Sequence, residues 1–244
     1  MFRVVLIAVV VALVAAACSA GGGTVTDRGE WSETESCPDV FFLGARGSGQ
    51  DPGIGPQLTD DYERFLGLLE PPRDIDVARY PLDYPASESN VGGASQYSDS
   101  VAAGVRELSV AVELLGSRCE DARIVLGGYS QGAHVIAIAD HAVLEASNVD
   151  AVILLANPVF APDDPTEKTG TFKPDQGGII RQVSINGALA ERTIQLCLSG
   201  DPVCQFGSLA FWVHSGGYFG DVLDPTAEFA AREVAANLPV SAAS

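Results

Sequence analysis

The segment Gly128-Tyr129-Ser130-Gln131-Gly132 has the spacing G-x-S-x-G. It follows the apolar run Ile124-Val125-Leu126 and precedes a largely apolar stretch from Ala133 to Ala146. A serine on a sharp strand-to-helix turn is lifted into the open, with backbone N–H groups of the helix start beside it. Side chains two residues to either side of it would collide, which accounts for glycine at both places. The chemistry on offer is nucleophilic attack by a hydroxyl, with main-chain donors ready for a developing oxyanion. A glycine-rich turn that merely contains a serine is the plainer alternative. The strand before and the helix after speak for the first reading.

A serine hydroxyl needs a base. The chain has three histidines, His134, His141 and His214. The first two fall on the expected helix after Ser130, and a structural role is expected for both. Where this elbow carries catalysis, the chain order is Ser, then Asp or Glu, then His, which leaves His214. Among the aspartates between Ser130 and His214, Asp201 follows a strand expected over Thr193 to Leu198, at a carboxyl end. It also lies inside Cys197-Leu198-Ser199-Gly200-Asp201-Pro202-Val203-Cys204. A bridge between those cysteines would hold the carboxylate for the His Nδ1–H. A solvated aspartate in a Gly-Asp-Pro turn is the alternative.

The elements that would position these groups are legible from periodicity. Buried strands are expected at Asp39 to Leu43, Ile75 to Tyr80, Arg123 to Leu126 and Ala151 to Leu155. Helices are expected at Gln57 to Leu69, from Val101 to Leu115, at Ala133 to Ala146 (deeply buried) and at Pro225 to Leu238. Residues 84–96 and 158–178 read as loops, the second a long surface one. Strands alternating with helices imply an α/β fold with a mostly parallel sheet covered on both faces.

The chain has 244 residues, 14 Lys plus Arg and 32 Asp plus Glu, for a formal net charge of −18. No basic footprint for nucleic acid is visible. Val4 to Ala17 is unbroken apolar sequence, shorter than the ~20 residues of a transmembrane helix and suited to a signal peptide. Residues 1–17 are therefore read as a signal peptide, 18–36 as a flexible tether and 37–244 as one domain. Export follows, to the medium or to the cell surface. Ala15-Ala16-Ala17-Cys18 leaves two readings, a lipidated Cys18 anchoring the protein or a discarded one. The other four cysteines, Cys37, Cys119, Cys197 and Cys204, suffice for two bridges. No H-E-x-x-H, C-x-x-C or glycine-rich phosphate motif occurs, so neither metal nor cofactor is expected.

Gly127 to Gly132, the segment Cys197 to Cys204 with Asp201 inside and His214 downstream, and Ala45-Arg46-Gly47-Ser48 together resemble the cutinase family of the α/β-hydrolases. The resemblance runs from about Cys37 to the C-terminal helix. It implies a compact three-layer α/β/α sandwich without a large lid, bridges Cys37–Cys119 and Cys197–Cys204, and acyl-ester substrates; separately, a monomer is expected. It also implies Ser130 as nucleophile, His214 as base, Asp201 as orienting acid, and an oxyanion hole from the N–H groups of Gln131 and Ser48. Glu120, Phe206 and Phe211-Trp212-Val213 depart from the family pattern. Phe206, Phe211 and Trp212 are expected to form an apolar wall for an acyl chain, with core packing as the alternative. Two further functions stay open: a polysaccharide deacetylase of the acetylxylan type, and a surface binding protein without catalysis.

Overall fold

The strands are β1 (Val25–Glu30), β2 (Val40–Ala45), β3 (Ile75–Pro81), β4 (Arg123–Tyr129), β5 (Val149–Leu155), β6 (Glu167–Thr169) and β7 (Thr193–Leu196), of which β2, β4 and β5 grow from apolar runs. Between and after them lie helices α1 (Pro56–Leu68), α2 (Gly93–Arg118), α3 (Gln131–Ala137), α4 (His141–Ala146), α5 (Ala188–Glu191), α6 (Phe211–Gly216) and α7 (Asp224–Asn237). The computed structural model describes residues 23–88, 93–207 and 209–239. The segment 1–17, expected to be a signal peptide, and Cys18 lie outside the described residues.

The strands form one sheet in the order β1-β3-β2-β4-β5-β7-β6, and every pairing is parallel. Residues alternate across the sheet with period two, so the central strands β2, β4 and β5 feed two cores. Phe41, Leu43, Leu126 and Leu154 pack on the α2 and α3 side with Leu108, Val112 and Val135. Phe42, Val125, Ile153 and Leu155 pack on the α1 and α7 side with Leu58, Phe65 and Phe229. Three layers result, as expected. The strand order reverses between β2 and β4, and the crevice at such a reversal lies beyond the strands' carboxyl ends. The segments after β2 and β4 therefore meet there.

Three expectations need correction. The tether assigned to residues 18–36 does not extend that far. Residues 25–30 form the edge strand β1 in register with β3, and Trp31 is buried with its ring 5.1 Å from that of Phe41. Its residues, VTDRGE, lack apolar alternation because an edge strand facing solvent needs none and is protected by charge. The helix expected over Ala133 to Ala146 is two helices, broken at Asp140, whose carboxylate accepts from the Ala142 N–H at 3.0 Å and caps α4. Only Leu144 of α4 is buried. The segment 158–178 is not simply a surface loop. It contains β6, and Asp164, Thr166 and Lys168 form a buried polar cluster with Gln195 of β7.

The two implied disulfides are present. Cys37–Cys119 joins the approach to β2 with the residue after α2, and Cys197–Cys204 closes the loop that contains Asp201.

Candidate active site

Ser130 is the turn between β4 and α3 and has φ 53° and ψ −112°, a conformation a non-glycine residue holds only when its surroundings enforce it. Its N–H donates to the Leu155 carbonyl at 2.9 Å, and its own carbonyl accepts from the His134 N–H at 3.0 Å. The flanking glycines are sterically required. A Cβ on Gly132 would lie 1.8 Å from the Ala45 carbonyl oxygen, and one on Gly128 would lie 2.7 Å from the Ala133 nitrogen.

His214 sits on α6, with Nε2 3.0 Å from Ser130 Oγ and Nδ1 3.1 Å from both carboxylate oxygens of Asp201. A carboxylate only accepts, so Nδ1 carries the proton of the neutral ring and Nε2 presents its lone pair to the serine hydroxyl. Asp201 is fully buried. Its Oδ1 accepts from the Val203 N–H at 2.8 Å and its Oδ2 from the Tyr218 hydroxyl at 2.6 Å. A buried charge is tolerable only when bonded in this way. The structure thus brings Ser130, Asp201 and His214 into one hydrogen-bonded line, although Ser130 and His214 lie 84 positions apart in the chain.

Two tyrosines that sequence reasoning passed over hold this line in place. The Tyr129 ring stacks on the His214 ring, with centroids 5.3 Å apart and planes at 20°, and its hydroxyl donates to the His214 carbonyl at 2.6 Å. Tyr129 occupies the first variable position of the elbow motif, so its place beside Ser130 is legible from spacing, but its partner is not. Tyr218 is buried. Its hydroxyl donates to Asp201 and accepts from the Leu198 N–H at 3.2 Å. Burial first, and then the Asp201 charge, push the Tyr218 phenol well above its ordinary range, so it stays protonated and remains a donor. Nothing in the sequence distinguishes this tyrosine from any other core tyrosine.

Ser48 follows β2 and lines the same cleft as Ser130, while Gln131 opens α3 immediately after the serine. The Gln131 side chain is turned away and locked: its Oε1 accepts from the Ser100 hydroxyl at 2.9 Å and its Nε2 donates to the Ser87 carbonyl at 3.2 Å. Arg46 is buried and donates to the carbonyls of Gln50, Leu82 and Tyr84, which fastens the Ser48 loop to the chain after β3.

The cleft encloses about 1040 Å³. Besides the serine and histidine it is walled by Pro158, Ile179, Ile180, Val203 and Phe211 on apolar faces and by Gln50, Gln57 and Ser215 on polar ones. Of the three aromatic residues expected to line it, Phe211 does. Phe206 and Trp212 instead stand out on the surface, 66% and 74% exposed, and belong neither to that wall nor to the core. The isoleucine pair was not anticipated, because it falls in a segment without secondary structure or period.

His134 and His141 have the structural roles expected of them. His134 Nδ1 is 3.1 Å from the Tyr97 hydroxyl, and burial lowers its pKa to about 4, keeping it neutral. His141 Nε2 lies 3.1 Å from the Ala137 carbonyl.

The chain is similar to known proteins along most of its length. "Phospholipase Culp4" of Mycobacterium tuberculosis is 27% identical over 234 residues, covering 91% of this chain and 90% of that protein. "Carboxylesterase Culp1" of the same organism is 32% identical over 207 residues, covering 83% and 82%. A crystallographic acetylxylan esterase superposes with a TM-score of 0.63 at 28% identity, over 84% of this chain and all of that one. The family profile described as Cutinase matches residues 36–234. The chain belongs to the cutinase family, a family of carboxylic ester hydrolases.

Proposed function

We propose that this protein is an exported serine esterase that cleaves acyl esters through an acyl-enzyme. The observation that carries the proposal is the unbroken line from Ser130 Oγ through His214 to the buried Asp201 carboxylate. In the proposed cycle His214 Nε2 takes the Ser130 proton as Oγ attacks the ester carbonyl. The tetrahedral oxyanion is held by the N–H groups of Gln131 and Ser48, with the Ser48 hydroxyl assisting. One such donor is worth ~2.7–4 kcal/mol in the transition state. His214 then passes the proton to the departing alcohol. A water attacks the acyl-serine by the same route in reverse, releasing the acid. Asp201 stays ionised throughout and stabilises the imidazolium.

The apolar face formed by Ile179, Ile180, Val203 and Phe211 supports an acyl chain longer than acetyl. The names of the relatives extend from phospholipid to acetylated xylan, and the likeness to the acetylxylan esterase over its whole length favours a short-acyl polysaccharide ester as the second reading. Two disulfides and the apolar segment before Cys18 support export, with Cys18 as a lipid anchor or removed.

A fluorophosphonate tests the reading directly. One label per chain, lost in Ser130→Ala, is the expected result. A folded, unlabelled wild type would favour a binding protein. Hydrolysis of a nitrophenyl ester series separates the two substrate readings, since a preference for acetate alone favours the deacetylase.

A further inference from the structure

α6 is only six residues long, Phe211–Gly216, so the carbonyls of its last turn have few partners within the helix. Side chains from elsewhere supply them. The His214 carbonyl accepts from Tyr129, and the Ser215 carbonyl accepts from Gln57 Nε2 at 3.3 Å. Gln57 belongs to α1, is 4% exposed, and its Oε1 accepts from Gln50 Nε2 at 2.7 Å. Gln50 Oε1 in turn accepts from the Gly47 N–H at 2.7 Å, next to Ser48.

The polarity of this chain is forced at both ends. A backbone N–H only donates and a backbone carbonyl only accepts. Gln50 must therefore turn its oxygen to Gly47 and its nitrogen to Gln57. Gln57 must accept with its oxygen and spend its nitrogen on Ser215. Space for it is kept by glycines. A Cβ on Gly55, whose φ is +86°, would lie 2.3 Å from Gln50 Oε1, and one on Gly47 would lie 2.7 Å from the Tyr129 ring. The loop bearing Ser48 and the helix bearing His214 are thus joined through the glutamine pair, while Tyr129 of β4 lies close to Gly47 and bonds to the His214 carbonyl.

We infer that Gln57 is a positioning residue. With Gln50 it forms a relay that fixes the distance between the proposed oxyanion loop and the proposed general base. The inference rests on the triad reading. A misplacement on the order of 1 Å at such a site costs about a hundredfold in rate, so a relay that prevents part of it is expected to matter severalfold or more.

The test is the steady-state hydrolysis of p-nitrophenyl butyrate by Gln57→Leu, Gln50→Leu, the double variant and Gln57→Glu, with fluorophosphonate labelling of each. Gln57→Leu is expected to lower kcat about tenfold with KM little changed. The double variant is expected to be no worse than the worse single one, because each breaks the same relay. Gln57→Glu keeps the acceptor for Gln50 but, when ionised, has no donor for Ser215. Its rate relative to wild type should therefore rise as the pH falls and the carboxyl gains a proton. This last readout does not move for a merely structural glutamine, and it carries the test should Gln57→Leu fail to fold. An unchanged kcat, a loss confined to KM, additive losses or a flat pH ratio would each overturn the inference. An unlabelled wild type would overturn the triad reading and the inference together, whereas a labelled wild type beside an unimpaired Gln57→Leu overturns the inference alone.

Discussion

The Tyr218 hydroxyl stands 2.6 Å from Asp201 Oδ2, with both residues buried, so the carboxylate that faces His214 on one side is held from behind by a neutral donor. A hydrogen bond to a buried charge contributes about 1.5–3 kcal/mol. Tyr218→Phe removes it without leaving a hole. The expected outcome is a lower melting temperature and a kcat reduced about tenfold, with KM unchanged because the hydroxyl is buried behind Asp201. Steady-state kinetics and a thermal melt check this, and an unaltered kcat would remove Tyr218 from the site.

Ser130 owes its conformation to the space left by its neighbours. Gly132→Ala sets a methyl 1.8 Å from the Ala45 carbonyl oxygen, on backbone that cannot yield cheaply. A loss of about 3 kcal/mol or more is expected, seen as a collapse in soluble yield or urea midpoint. Gly116→Ala is the control: it lies in α2 with open space where its Cβ would go, and a small gain of ~0.5–1 kcal/mol is expected there.

Asp61 predicts a pH dependence of stability unrelated to catalysis. Thr226 Oγ1 lies 2.6 Å from Asp61 Oδ1 and 2.7 Å from the Leu223 carbonyl. One hydroxyl proton cannot serve both, and the carbonyl only accepts, so a protonated Asp61 completes the set. Burial pushes the Asp61 carboxyl up to about 7, against ~3.9 in an unfolded chain. The folded state therefore holds this proton more tightly. The stability it contributes is complete below the unfolded value and is lost as the pH rises through about 7. Asp61→Asn cannot ionise. It should raise the urea midpoint over wild type at pH 8, by about 2–4 kcal/mol in stability, and by less at pH 4. Equal gains at both pH values would count against the argument.

Trp212, next in sequence to the cleft-lining Phe211, and Leu209 are 74% and 85% exposed, in a stretch from Pro202 to Gly220 that holds no Lys, Arg, Asp or Glu. An uncharged, apolar rim on a chain of net charge −18 suits a substrate whose tail extends out of the cleft. Trp212→Ala should lower hydrolysis of nitrophenyl laurate roughly fivefold, on the scale of ~1 kcal/mol of lost apolar contact, and leave nitrophenyl acetate nearly unaffected. Equal losses on both esters would exclude contact with the chain.

Some of this protein could be read without coordinates because the constraint is local. Gly128 and Gly132 around Ser130 report the steric demands of one tight turn, and the apolar runs that became β2, β4 and β5 report burial on both faces of a sheet. Chain order singled out His214. The paired cysteines around Asp201 marked the loop that holds it. Other features depend on neighbours distant in sequence, and no local pattern encodes them. β1 is polar because it lies at a sheet edge, so its sequence has the composition of a tether and only its pairing with β3 makes it a strand. Tyr218, Tyr129 and Gln57 acquire their roles only when folding places a hydroxyl or an amide against one carboxylate and two carbonyls. Phe206 and Trp212 have the composition of core residues, and only the path of the chain around α6 leaves them in water. The residue types set which chemistry is available; the packing of α1, β4 and α6 against one another decides which side chains take part, because hydrogen bonds and ring stacking act over a few ångströms and sequence separation does not measure that distance.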